Sequence, residues 1–489
     1  MKALILLAVA LILTISCHRN RLKGDEDQLA KEILTQEQQL EKERIDREKQ
    51  LTDSLSKLSK GFRFKEERGI DPERPPVRID IIGNRTNPQK IKLSRLFRKI
   101  DYIRLEQDPD SLLGKFAGEA LVSRKHIYIQ SRFGGIIQYD LQGHFVQYVC
   151  KNLTLYSNGI STGSSGNGPV KFEGTLKAYL FNDQLYYQYE NRSTSQACLI
   201  VFDDSNDYKN LTVQMPDEKE KKRSVRGKGM IILDMDGSRV SYSKPFPYFL
   251  GAGTVAFSQS KKVLEKQMDF IDVVSASGDT LCRFKDFDLI RNFDKTTYRG
   301  VDSGDIYYQN GMLHLRQAFN DTIYQLNLPN RLVPKYILDF GNRGIKSALE
   351  GVDPAVSLQD KLVHESFLET DRYLFVTYTK DYDCPNTARN GTLKYSRVIY
   401  DKKINELIPV YLDEEPLVPG KKLSWPSAPE MNIQNDLDDF PFLWPDRVTE
   451  KGEPYVFFTP KSLAGRLGGD SWQHFQGTDE KDYMIAIYK

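Results

Sequence analysis

Apolar and polar residues follow one another along this chain in three different rhythms. After Met1-Lys2 comes an unbroken apolar run from Ala3 to Leu13. It is shorter than the roughly 20 residues needed to cross a bilayer core. From Asp25 to Lys60 there is no Gly, Pro or aromatic residue, and apolar side chains fall at Leu29, Ile33, Leu34 and Leu40, then at Leu51, Leu55 and Leu58. That spacing predicts a helix of roughly 50 Å. The stretch Arg44 to Lys49 interrupts the stripe, so a solvated stalk is favoured over an oligomerising coiled coil. Gly69, Pro72, Pro75, Pro76, Gly83 and Pro88 then predict an extended linker over residues 61–90, with one alternating run, Val77 to Ile81, as a candidate closing strand. From about Ile91 onward short alternating runs recur between tight turns. Examples are His126 to Ile129, Ile136 to Asp140, a turn at Gln142-Gly143, and Phe145 to Val149. Later pairs include Thr322 to Leu326, Tyr373 to Tyr378 with Arg397 to Tyr400, and Tyr455 to Phe458 with Met484 to Tyr488. With no helical pattern between them, these runs predict an all-β body: a sandwich, barrel or propeller.

The N-terminus changes the picture of where this body resides. A positive residue, a short apolar run and small residues before a cut site make a secretory signal over residues 1–16. Leu13-Thr14-Ile15-Ser16-Cys17 resembles a lipobox, which implies a lipid on Cys17 and leaves residues 17–60 as the anchored stalk. The residues after Cys17, His18-Arg19-Asn20-Arg21, are basic, with no acidic residue before Asp25. The formal charge of +2 argues against nucleic acid as a partner. The other cysteines, Cys150, Cys198, Cys282 and Cys384, are scattered singly, and buried thiols are favoured over disulfides.

Several segments resemble one family. Ile91 to Ser94 through Ile100 to Glu106, Ile136 to Phe145, and Asn320 to Leu326 with Tyr336 to Gly341 are similar to blade strands of the six-bladed β-propeller lipoproteins of Bacteroidota. Val398 to Lys403 and Asn435 to Pro445 are similar to its later blades. The family's Gly-Gln-Gly-Pro-Gly loop is replaced here by Gly163 to Pro169. The resemblance implies a single propeller over residues 91–489 with six blades, and seven or eight compact blades stay open; with basic residues after Cys17 it also implies an outer-membrane anchor facing the periplasm. Lys209 to Arg226 and Asp381 to Asn390 are expected as long loops, and the strand near Ile79 or Ile91 as the partner of Met484 to Tyr488.

Candidate chemistry is sparse. The sequence holds no hydrolase elbow, zinc-protease, phosphate-loop or EF-hand motif, and no cofactor is implied. His126, His144 and His314 read as structural strand residues, although loops and strands of several blades can converge. Asp436, Asp438 and Asp439 have the oxygen ligands for a Ca²⁺ ion, with a solvated Asx turn as the favoured reading. Trp425, Trp444 and Trp472 offer stacking faces for sugars, with core packing favoured. Lys219 to Lys228 is a basic run diluted by Glu218 and Glu220. The expectation is a non-enzymatic binding or scaffolding propeller for a protein, peptide or glycan. The rivals are an envelope hydrolase or lyase acting at the channel mouth, and a sensor partner oligomerised by its stalk.

Overall fold

A computed structural model describes most of residues 64–489, apart from 84–89 and connecting segments of which the longest are 158–173, 216–229, 286–304, 347–357, 381–393, 412–431 and 460–481. Before residue 64 it describes only Gln39, Lys42, Asp46, Lys49 and Gln50, all helical and exposed, so the stalk and Cys17 lie otherwise outside the described residues. Residues 1–59 and 60–489 form separate units.

The second unit is all-β. Four strands come first: β1 (Glu67–Arg68), β2 (Val77–Asp80), β3 (Ile91–Lys92) and β4 (Ile100–Arg104). Sheet I holds β5 (Ala117–Val122), β6 (His126–Ser131), β7 (Ile136–Asp140) and β8 (Phe145–Ser157). Sheet II holds β9 (Gly174–Phe181), β10 (Gln184–Asn191) and β11 (Gln196–Phe202). The expected loop from Lys209 begins instead as a strand, β12 (Tyr208–Met215), laid parallel on β8. Likewise β13 (Met230–Leu233) lies parallel on β11 and carries β14 (Arg239–Tyr242). Sheet III is β15 (Pro247–Gly251), β16 (Thr254–Ser258), β17 (Asp269–Val274) and β18 (Thr280–Lys285). Sheet IV is β19 (Asp305–Gln309), β20 (Met312–Arg316), β21 (Thr322–Asn327) and β22 (Arg331–Asp339), and sheet V is β23 (Leu362–Glu369), β24 (Tyr373–Lys380), β25 (Lys394–Asp401) and β26 (Glu406–Tyr411). After β27 (Ile433–Gln434), sheet VI joins β28 (Arg447–Val448), β29 (Pro454–Phe458) and β30 (Met484–Tyr488) to β4.

Sheets I, III, IV and V are each built on four consecutive antiparallel strands, the blade pattern of a propeller-like arrangement. The core lies between sheets, and strand alternation puts it there. In β24, Leu374, Val376 and Tyr378 pack with sheet IV, while Tyr373 and Phe375 pack with sheet VI. In β30, Met484, Ala486 and Tyr488 face sheet V, whereas Ile485 and Ile487 face sheet I. Both faces of each strand are therefore dry, which explains why these runs read as continuously apolar. The first strands of different sheets approach one another, β5 with β9 and β23 with β28, as strands around a common axis do.

The N-terminal strands do more than close a ring. The partner of β30 is β4, with Ile103 opposite Ile485, whereas the strands at Ile79 and Ile91, the expected partners, pair elsewhere: β2 runs parallel to β22 and β3 to β27. The Phe64 amide donates to the Leu281 carbonyl of β18, β1 lies on β22, and Tyr373 of sheet V donates its hydroxyl to the Leu96 carbonyl. The described parts of residues 64–104 thus form a belt that lies along the outer strands of sheets III and IV, touches sheet V through the Tyr373 hydroxyl and enters sheet VI as β4, covering backbone groups of β18, β22 and β30 that would otherwise stay open.

Closure also fixes one turn in sheet I. Asp140 accepts hydrogen bonds from the Gln142 and His144 amides, and Gly143 adopts φ +91° between them. A Cβ at Gly143 would lie 2.2 Å from the Arg104 carbonyl oxygen of β4. Gly143→Ala is expected to cost at least about 1–3 kcal/mol, through a left-handed backbone and a displaced β4. An unchanged urea midpoint would refute this role for the turn.

Candidate functional site

The described groups richest in ionisable chemistry meet at the seam between sheets IV and V, and two backbone irregularities bring them there. In β22 the pairing steps from Tyr324–Pro334 to Ile323–Tyr336, so Lys335 is an extra residue beside a proline that has no N–H to lose. In β23 the register skips Glu365, since His364 faces Tyr378 and Ser366 faces Thr377. That skip reverses the strand's alternation and puts His364, Phe367 and Glu369 on the same side.

Glu369 is the centre of one cluster. Its side chain is fully buried. Oε1 accepts from Lys335 Nζ at 3.0 Å, Lys402 Nζ at 3.0 Å and the Tyr336 hydroxyl at 2.9 Å, while Oε2 accepts from the Tyr307 hydroxyl at 2.6 Å. Lys402 also donates to the Thr370 carbonyl, and Lys335 to His314 Nε2 at 2.9 Å. An ammonium can only donate, so Nε2 is the acceptor and the His314 proton sits on Nδ1. Burial by itself would push the Glu369 carboxyl up, but the two lysines reverse it and bring it down to about 2. Burial, reinforced by Lys335, brings His314 down to about 3. At neutral pH the cluster therefore holds a carboxylate and a neutral imidazole.

A second cluster lies where the first strands of the two sheets begin. Arg316 Nε donates to Asp305 Oδ2 at 2.7 Å, and His364 Nδ1 lies 3.6 Å from the same oxygen. Arg316 and His364 are buried, and Asp305 is one-quarter exposed. Aromatic rings join the two clusters. Tyr307 stacks on His314 at 5.1 Å, Phe367 meets Tyr307 edge-on at 4.8 Å, and His364 meets Phe367 at 5.4 Å. His314 of sheet IV and His364 of sheet V are thus linked through the rings of Tyr307 and Phe367.

A family described as a domain of unknown function, DUF4933, matches residues 59–467, which include both sheets of this seam. The chain belongs to that family. No curated protein matches it. Among solved structures, it is similar to a catalytically inactive virginiamycin B lyase from Staphylococcus aureus with quinupristin, at 13% identity over 80% of this chain and 99% of that one, TM-score 0.32. It is also similar to the Nup133 β-propeller domain of Vanderwaltozyma polyspora (11% identity, 75% and 78% covered, TM-score 0.24) and to YCF48 bound to D1 peptide (9%, 66% and 75%, TM-score 0.27).

Of the residues singled out from sequence in this DUF4933 chain, His314 belongs to the seam, while Asp436, Asp438 and Trp444 lie elsewhere. Asp436 accepts from the Ser94 amide and hydroxyl, and Asp438 from the Tyr102 hydroxyl, the Asn435 side chain and the Phe440 amide. Both carboxylates tie the belt to the approach of sheet VI. Asp439, Trp425 and Trp472 lie outside the described residues, as does the basic run Lys219 to Lys228. Trp444 packs edge-on against Phe375 with Arg397 over its ring. Cys282 is a buried free thiol whose pKa burial pushes up to about 12. The side chains of Cys150, Cys198 and Cys384 lie outside the described residues. Among the described residues no group of three or more His, Cys, Asp or Glu is arranged to hold a metal.

The seam makes the fold acid-sensitive in two steps of the same sign. His314 ordinarily titrates near 6.5 and in the fold near 3, so below pH 6.5 the unfolded chain binds a proton that the fold refuses. Glu369 falls from 4.5 to about 2, and its contribution, present above 4.5, is lost as pH drops through 2. The urea midpoint should fall from about pH 6.5 downward, and His314→Gln should flatten the slope above pH 4.5 and reduce, without abolishing, the slope between 4.5 and about 3. Glu369→Gln, which strands two lysines without their carboxylate, should cost about 3–5 kcal/mol at pH 7. A midpoint independent of pH between 6.5 and 4.5 would contradict the His314 assignment.

Proposed function

We propose that this chain is a non-enzymatic binding or scaffolding propeller of the cell envelope, with sheets I–VI as six blades and a helical stalk before them. The carrying observation is geometric: Glu369, the one buried carboxylate of the cluster, has both oxygens occupied by donors from Lys335, Lys402, Tyr336 and Tyr307, and the shifts of Glu369 and His314 agree with it. A proton-transfer group works best with its pKa near the working pH. Glu369 and His314 are moved away from it on both counts, to about 2 and about 3, so their charge states are fixed across the physiological range. Groups tuned that way hold a surface rigid instead of exchanging protons with a substrate. The binding face in this reading is the end where β19 and β23 begin, since β19 is half-exposed over Asp305 to Tyr308 and first strands border the channel mouth. Its ligand is a protein, peptide or glycan.

The lipobox-like segment ending at Cys17 supports a lipid anchor, in the outer membrane and facing the periplasm. Two measurements test the reading. Cys17→Ala should move the protein from the detergent phase to the aqueous phase on Triton X-114 partitioning. Continued membrane association after that change would remove the anchor from the proposal. For the binding role, a lipid-free form beginning at Phe62 should be melted against envelope peptides and glycans. A ligand at a hundredfold excess over its Kd adds about 2.7 kcal/mol of stability. Turnover of any of these ligands would replace the binding reading with an enzymatic one.

A further inference from the structure

The belt strand β2 is part of the seam as well as a cover for its edge. Its backbone runs four residues along β22, from Val77 opposite Tyr336 to Asp80 opposite Asp339. Ile79 and, just beyond the strand, Ile81 are buried in the cluster formed by Leu338 and Phe340 of sheet IV with Leu374, Val376 and Val398 of sheet V. Arg78 and Asp80 face outward and are exposed, and Val77, on the Ile79 face but at the start of the strand, is also exposed. A short parallel ladder and two apolar pegs therefore hold this segment, and the same pegs fill the apolar half of the interface between the two sheets.

The other half of that interface is the Glu369 cluster. The Lys335 and Lys402 side chains are 27% and 18% exposed, so both lie at the margin of the seam and not in its depth. Charged groups regain hydration when such a contact parts, whereas apolar side chains lose by it. What keeps sheets IV and V together thus falls largely to the apolar half, and Ile79 and Ile81 reach it from outside either sheet. Tyr336 links the halves: it is paired with Val77 along the ladder and donates its hydroxyl to Glu369.

The geometry points to residues 64–83 acting as a clasp on this one seam. Docked, the clasp locks sheets IV and V. Released, it lets them part locally and admits water to Lys335, Lys402 and Glu369 while the remaining interfaces stay closed. The segment is continuous in sequence with the chain's N-terminal unit, so a pull or a partner acting upstream would be read out at the seam. The device rests on strand pairing and packing, and holds whatever ligand the propeller takes.

Native-state hydrogen exchange on the full-length chain tests the clasp. In the unmodified protein, amides of β2, β22 and β24 should share one opening equilibrium, distinct from and less stable than that of β29 and β30. Ile81→Ala should raise that shared opening at least about tenfold and leave sheets I and VI unchanged. Val77→Ala, which alters an exposed position of the same strand, should leave it within about twofold. Faster exchange confined to residues 64–83 would reduce the belt to a passive strap. Equal acceleration in every sheet would show that no local seam opens. If Ile81→Ala does not fold, the opening units of the unmodified chain still decide between clasp and strap.

Discussion

A strand whose outer edge is bare exposes a row of amides and carbonyls that must be paired, covered or left as a template for another chain. That constraint organises this molecule. Stacking sheets face to face buries their side chains but leaves every outer strand with an open edge. The chain answers by laying strands of its own along those edges. β12 covers β8, β13 covers β11, and the N-terminal belt passes from β18 to β22, past sheet V, and into sheet VI as β4. Because β4 is also hydrogen-bonded inside a sheet whose other strands come from the end of the chain, edge protection and closure are one event.

Between sheets the same economy produces two kinds of interface. Where alternation is regular, as in β24 and β30, both faces of a strand are apolar and the contact is a dry core. Where a bulge shifts the alternation, a charged side chain is carried inward and the surroundings must satisfy it. Glu369 shows how completely this is done, with four donors on its two carboxylate oxygens. Leaving any one unpaired in a buried site would cost more than the bond contributes. The aromatic run from His314 to His364 fills the space between the two polar clusters with rings, whose edges and faces tolerate the charge on either side.

The sequence carries the strands legibly and the site hardly at all. Runs such as Ile136 to Asp140 and Tyr373 to Tyr378 appear where their alternation and turn residues place them. Alternation also says that adjacent residues face opposite sides, and the two bulges break that rule at Lys335 and Glu365. Counting by twos assigns Glu369 and His364 to opposite faces. One signal does reach the site: a proline inside an otherwise apolar strand, Pro334, marks a bulge or an edge, and the lysine beside it is the residue turned inward. The belt escapes the pattern for a different reason. Val77 to Ile81, Ile91 to Leu93 and Ile100 to Ile103 serve equally well as a last strand, and only the register chooses among them. The acidic cluster is visible in the sequence but its role is not, because a carboxylate that caps a backbone amide has the same composition as one that awaits a cation.

The pairing of β4 with β30 joins residues separated by almost the whole body of the chain. Contacts of such long sequence separation make folding slow, since the intervening loop must be closed before they return anything. A polypeptide still emerging from a ribosome therefore carries β4 as an unmatched edge until β30 has been made. A product cut short before Met484 would keep that edge permanently, with β29 paired to β28 alone and β4 left out of the sheet. Copies lacking β30 should thus betray themselves to proteases and chaperones even when sheets I to V are intact, because closure of the body waits on the pairing of β30 with β4.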